Sequence, residues 1–264
     1  MNKTGEEPIL SLPERHNRIL ALLQQFGSIS VAQLAERFKV SEVTIRKDLS
    51  YLEQQKKLYR THGSAILISP YISDRHVNEK EKRNVAEKRA IGAFAASLIA
   101  QDDSIIIASG TTVTFLAREI NPAGHLTAIT ASVPVTQILS QCPDVDVIQL
   151  GGITRSSSVS VVGSFAEQML RSFNCSKLFI GVDGIDTEFG LTTTNMLEAS
   201  LNGAMIDAAQ KVIVLADSSK FGRRGFSKIC DLESVDRIIT DSGVQSVYLD
   251  RLRERGIEVT VVDV

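Results

Sequence analysis

Hydroxyl, glycine, carboxylate and amine groups recur in this chain at the ends of short β-rich runs, and together they offer the chemistry that an anion and a polyol require. Ser109-Gly110-Thr111-Thr112 stands directly before a helical stretch. It combines free backbone N–H groups, a glycine that permits close approach, three hydroxyls and the positive end of a helix dipole. A phosphate fits such a loop. Ser132 ends the segment Thr130-Ala131-Ser132, Gly151 and Gly152 follow the next run, Asp183 lies within Gly181–Asp186, and Lys220 lies within Asp217–Phe221. Hydroxyls and amides would take the phosphate, Asp183 the sugar hydroxyls, and Lys220 the countercharge. Taken alone, Ser109–Thr112 is a weak motif and reads first as a helix cap. Five polar or glycine-rich strand ends on one sheet edge outline a pocket.

The elements that must position these groups follow from hydrophobic periodicity. A helical pattern starts at Val85, with Ile91, Phe94, Ala95, Leu98 and Ile99 on its buried face. Strands are expected at Ser104–Ala108, Thr127–Thr130, Val145–Leu150, Lys177–Gly181, Lys211–Ala216, Arg237–Thr240 and Glu258–Val262. Helices fill most gaps, around Thr112–Glu119, Val133–Gln141, Gly163–Ser172, Leu197–Ala209 and Val244–Arg255. Such alternation predicts a Rossmann-like α/β domain with a mainly parallel sheet, whose ligands sit at the carboxyl ends of strands. Other polar groups read as structural. Glu198 is expected on a solvated helix face, Glu79–Lys82 as linker charge, and Ser156–Ser158 as a mobile loop, with a lid over the pocket as the alternative.

The N-terminal part carries a different chemistry. Ser30 caps a short helix, with Gln33 completing a capping box and Val31, Leu34, Ala35 and Phe38 forming one apolar face. After a turn near Lys39–Val40, Ser41 caps a second helix. Val43, Ile45, Leu49 and Leu52 are expected inside it, and Glu42, Thr44, Arg46, Lys47 and Ser50 outside. Leu58–Tyr59 and Ala65–Ile68 read as two strands of a wing. This is a winged helix-turn-helix, a DNA reader in which Ser41, Glu42, Thr44, Arg46 and Lys47 meet bases or phosphates and Arg60 and His62 support from the wing. From Glu14 to Ile68 nine Lys or Arg residues face five acids, about +4, whereas the whole chain is −2, so the remainder is near −6. A polyanionic partner for this segment alone accounts for the asymmetry.

With 264 residues, the chain is expected to divide into a winged helix-turn-helix domain over 14–69, a linker over 70–84 and an effector-binding and oligomerisation domain over 85–264. The N-terminus lacks the basic start and apolar middle of a secretory signal, and no apolar run reaches the ~20 residues of a membrane span. Cys142, Cys175 and Cys230 are odd in number and widely spaced, and His16, His62, His76 and His125 are isolated, so neither metal ligands nor a disulfide framework is expected. These features suit a cytoplasmic protein with no metal or cofactor.

The run VSEVTIRKDLSYLE followed by LYRTHGSA resembles the signature of the DeoR family of transcriptional regulators, and the resemblance extends through nearly the whole chain. It implies a C-terminal domain similar to sugar-phosphate isomerases that responds to phosphorylated sugars. By motif it places the phosphate loop at Ser109–Thr112, the paired glycines at Gly151 and Gly152, the acid of a Gly-x-Asp-Gly segment at Asp183 and the lysine of an Asp-x-x-Lys-Phe segment at Lys220. The chain departs from the family at Lys56 and Ser64 in the reader, and at Ala108, Asn202 and Gly203 in the larger domain. The expected function is a non-enzymatic repressor of a carbohydrate-use operon. It would bind an operator as a homodimer or homotetramer and respond to a sugar phosphate. The alternatives are a sugar-phosphate isomerase with a fused DNA-binding module, with Asp183 or Glu198 as general base, and a pocket converted into a dimerisation surface.

Overall fold

The computed structural model describes residues 11–26, 28–55, 57–61, 64–67 and 76–264, which fall into two compact units, 1–70 and 71–264. The first unit runs α1 (Leu12–Phe26), β1 (Ser28–Ser30), α2 (Val31–Phe38), α3 (Glu42–Gln54), β2 (Leu58–Thr61) and β3 (Ser64–Leu67). Ser30 accepts the Gln33 N–H while the Gln33 side chain accepts the Ser30 N–H, so the capping box is complete. Lys39 takes a left-handed backbone (φ 53°) at the turn, and Ser41 then accepts the Thr44 N–H to start α3. The wing pairs in the order β1-β3-β2. Ser64, one of the departures in the reader, begins β3 opposite Thr61 and Ser30.

Helix α1 was not expected, although Ile19, Leu22 and Leu23 recur at helical spacing and all three are buried. They join Leu34, Ile45, Leu49, Leu52 and Leu58 in the core of this unit. One ion pair closes it. Arg15 of α1 donates to both carboxylate oxygens of Asp48 on α3, at 2.6 and 3.0 Å, and His16 Nε2 lies 3.2 Å from the same group.

The second unit begins with α4 (Val77–Glu81) and α5 (Val85–Ala96), then β4 (Ser104–Ile107), α6 (Thr111–Glu119), β5 (Leu126–Thr130), α7 (Val133–Leu139) and β6 (Val145–Gln149). A hairpin, β7 (Ile153–Arg155) and β8 (Ser160–Val162), precedes α8 (Ser164–Leu170), β9 (Lys177–Gly181), β10 (Gly184–Asp186), β11 (Gly190–Thr193) and α9 (Met196–Asp207). The remainder is β12 (Val212–Leu215), β13 (Ser227–Cys230), β14 (Arg237–Asp241), α10 (Ser246–Glu254) and β15 (Glu258–Val262). Seven strands form one parallel sheet in the order β15-β14-β12-β9-β4-β5-β6. Alternate residues of β4 feed two cores. Ile105 and Ile107 join Ile91 of α5, Leu116 of α6 and Val135 of α7, while Ile106 and Ala108 join Leu170 of α8, Met205 of α9 and Leu252 of α10. The antiparallel pieces β7–β8 and β10-β11-β13 went unrecognised, being too short for alternation to stand out.

Among the described residues no helix is long and apolar enough to cross a membrane. Two expectations are corrected. Within the segment read as linker, Val77–Glu81 is a helix whose Val77 N–H donates to Ser157 O at 2.7 Å. Val43, expected inside, is 60% exposed. It is the second residue of α3, and the buried row of that helix runs through Ile45, Asp48, Leu49 and Leu52.

The Arg15–Asp48 pair generates a stability prediction. Replacing Asp48 by Ala strands a buried guanidinium, which costs about 3–5 kcal/mol when one partner of a buried pair is removed. Hydrogen exchange at Ile45, Leu49 and Leu52 should accelerate accordingly, whereas unchanged protection would show that the pair does not hold α1 to α3.

Candidate functional site

Of the expected DNA contacts in the first unit, Arg46 and Lys47 lie on one exposed face of α3, Ser41 caps that helix and Arg60 is on β2. Val43, Arg46, Lys47, Ser50, Tyr51 and Gln54 line a shallow depression on that face. Several of the polar groups are engaged within the chain. Ser41 Oγ lies 2.9 Å from Thr44 Oγ1, Arg46 is bridged to Glu42 at 2.8 Å, and Arg60 donates to Ser50 Oγ while its N–H donates to Glu53 at 3.0 Å. Lys47 is exposed. His62 lies outside the described residues.

In the second unit the strand order reverses between β4 and β9, because β4 leads through β5 to β6 on one side while β9 leads through β12 to β14 on the other. Crevices at such reversals, at the carboxyl ends of strands, are where ligands of open α/β sheets sit. Ser109, Gly110, Thr111, Thr112, Asp183 and Lys220 line one cavity at this point. Gly110 is the N-cap of α6 with φ 131°, a backbone that L side chains rarely adopt, and no side chain caps the helix. Its first-turn N–H groups are thus offered to an anion, with the positive end of the helix dipole behind them.

Ser132, Gly151 and Gly152 do not line this cavity. Ser132 is buried and accepts the Val135 N–H at 3.4 Å as the N-cap of α7. Gly151 and Gly152 follow β6, the edge strand two places from β4. A side chain on Gly152 would stand 2.6 Å from Val162 O, and its φ is 153°, so this glycine serves the close approach of the hairpin. Sequence order gave no means of knowing that the third strand lies at the sheet edge.

Residues from unexpected places complete the lining. Lys80 Nζ, on α4, lies 2.8 Å from Asp183 Oδ1, so what read as linker charge is an ion pair in the cavity. Thr193 and Thr194 offer hydroxyls to Asp183 at 3.1 and 3.4 Å. Burial pushes the Asp183 carboxyl up, but Lys80 and Lys220 outweigh it and hold the group below the ordinary carboxylate range. Glu198 also lines the cavity and is not on a solvated face. Its side chain is 12% exposed and lies 3.4 Å from Arg155 Nε. The clue was available, since α9 carries apolar residues all round, including Leu197, Ala199, Leu201 and Met205. Ser157 and Ser158, from the loop between β7 and β8, close another wall.

Behind this wall, buried Lys88 donates to the carbonyls of Lys80 (2.5 Å) and Arg83 (2.6 Å), tying down the end of α4. Asn84 donates to Asp217 at 2.8 Å. Burial lowers the Lys88 pKa to about 8 despite the neighbouring Asp217. Folding therefore lowers this pKa, and the folded chain binds fewer protons than the unfolded one between about 8 and the ordinary 10.5. In that window the group makes stability rise with pH. Relative to Lys88→Met, the native chain should gain at most about 1.4 kcal/mol per pH unit, measured by urea unfolding at a series of pH values. A pH-independent difference would contradict this assignment.

Comparison with known proteins agrees with both units. Residues 15–71 match the DeoR-like helix-turn-helix domain and residues 83–242 the DeoR C terminal sensor domain. The HTH-type transcriptional regulator YulB of Bacillus subtilis (strain 168) is 38% identical over 249 residues, covering 94% of this chain and 96% of the relative. The putative aga operon transcriptional repressor of Escherichia coli O157:H7 is 37% identical over 262 residues, covering 98% and 97%. The lactose phosphotransferase system repressor of Streptococcus mutans is 36% identical over 232 residues, covering 86% and 91%.

Proposed function

We propose that this chain, which belongs to the DeoR family of transcriptional regulators, represses a carbohydrate-use operon through operator contacts made by α3, and that a phosphorylated sugar in the cavity of its second unit changes that affinity. The observation that carries the reading is an uncapped helix N-terminus, two lysines and a half-buried carboxylate around one cavity, in a chain that also holds a DNA reader. The relative named for a lactose phosphotransferase system supports a carbohydrate operon. Ser41, Glu42, Thr44, Arg46, Lys47 and Arg60 contribute the operator face, and the basic excess of this segment supplies phosphate attraction. A homodimer or homotetramer presents paired readers to half-sites spaced by whole helical turns, about 34 Å or a multiple.

The sugar phosphate places its phosphate on Ser109–Thr112, with Lys220 and Lys80 as countercharges and Asp183 on its hydroxyls. An isomerase needs a general base poised near the working pH. Here Asp183 is held ionised by Lys80 and Lys220, and Glu198 is paired to Arg155, which favours binding without turnover. Lys80 also gives the site a route outward. It lies on α4, within the stretch read as linker, so a phosphate that draws Lys80 from Asp183 acts on the segment leading to the reader. The effector shifts operator affinity only through its differential affinity for the two states.

A side chain at Gly110 would be strained by its backbone whatever the ligand, so Lys220→Ala is the cleaner test. Loss of a charge-assisted contact, roughly 1.5–3 kcal/mol, should weaken sugar-phosphate binding about tenfold or more while operator affinity persists. Calorimetry over a panel of sugar phosphates, DNA binding with and without each, and an isomerisation assay read all three. Turnover at ordinary enzyme rates would favour the isomerase, and an unaltered response in the variant would place the phosphate elsewhere.

A further inference from the structure

We propose that Val43 reads the methyl group of a thymine in the major groove, an inference that rests on α3 being the helix that enters DNA. The first residues of a groove helix are the ones that meet base edges. Around this turn the polar side chains are largely committed within the chain. Ser41 and Thr44 hydroxyls face each other at 2.9 Å, and Glu42 is bridged to Arg46 at 2.8 Å. Val43 stands among them with 60% of its surface exposed and is absent from the buried cluster of this unit. Spacings of four and seven residues put Val43, Lys47 and Ser50 in one outward row, opposite buried Ile45, Leu49 and Leu52.

A single exposed valine is ordinary on a protein surface. This one occupies the first turn of a helix, where a branched apolar side chain neither caps nor complements the dipole, and it lies on the face that carries Arg46 and Lys47. An aliphatic group has no hydrogen bond to give to a base edge. Of the groups that base pairs present in the major groove, the thymine methyl is the apolar one, and aliphatic contact with it is a recurring mode of readout. Cytosine at the same place has no methyl at C5, so the apolar contact is lost there. Val43 therefore selects thymine at one position per reader, beside the polar contacts of Arg46 and Lys47.

Duplexes enriched from a random pool by the full chain supply the test. Each thymine is replaced in turn by deoxyuridine, which removes only the methyl group. The native chain should lose about fourfold in affinity, the worth of one buried methyl, at one thymine per half-site. Val43→Ala should bind the thymine duplex more weakly and bind thymine and uracil duplexes alike at that position, while Arg46→Ala keeps the discrimination. Thermal denaturation of Val43→Ala should match the native chain because the side chain is exposed. Equal affinity of the native chain for every thymine and uracil pair, or discrimination that survives in Val43→Ala, overturns the proposal and leaves the operator role of α3 standing. Unchanged affinity on substituting Arg46 and Lys47 together overturns that role and this proposal with it.

Discussion

Between β4 and β9 the chain reverses the direction in which it lays down parallel strands, and the crevice left by that reversal sets the terms for the rest of the second unit. From Ile105 to Ala108, β4 and the residue after it commit their side chains to opposite cores, Ile105 and Ile107 to one and Ile106 and Ala108 to the other. What fills the opening is polar and must be satisfied. Asp183 is met by Lys80 and two threonine hydroxyls, Glu198 by Arg155, and Asp217 by Asn84. Ion pairs with little solvent access add modest net stability against their desolvation, so their main consequence here is a charge arrangement held in place.

The parallel sheet was legible because apolar runs such as Ser104–Ala108 and Lys211–Ala216 are buried on both faces and stand out from the polar turns between them. That Ser109–Thr112 and Asp183 come together at strand ends was legible because they abut such runs. Lys80 was not, since a five-residue helix of Val77, Asn78, Glu79, Lys80 and Glu81 has no periodicity and derives its place from tertiary contacts, the Lys88 clamp and the Ser157 carbonyl. Gly151 and Gly152 misled for a related reason. Their spacing after a strand is that of a ligand loop, but strand order, which no local pattern encodes, puts them at the sheet edge. In the reader, helical spacing assigned Ile45, Leu49 and Leu52 to the core and missed on Val43, where the apolar residue type suggested burial and the phase of the helix put it outside.

Two chemistries thus share one chain. The first unit is basic and closed by Arg15 and Asp48, with an α3 face that carries exposed Lys47 beside bridged Arg46. The second is acidic overall but places Lys80 and Lys220 around Asp183, in the cavity that also holds the N-terminus of α6. Linkage requires that whatever the anion does to operator affinity, the operator does equally to the anion.

The most direct test is therefore the affinity of the full chain for the proposed sugar phosphate, measured free and again saturated with operator duplex. Linkage gives two different dissociation constants, whose ratio equals the ratio of operator affinities measured with and without the sugar phosphate. Identical affinity in the two states, with operator binding intact, would contradict control of the reader by the sugar phosphate.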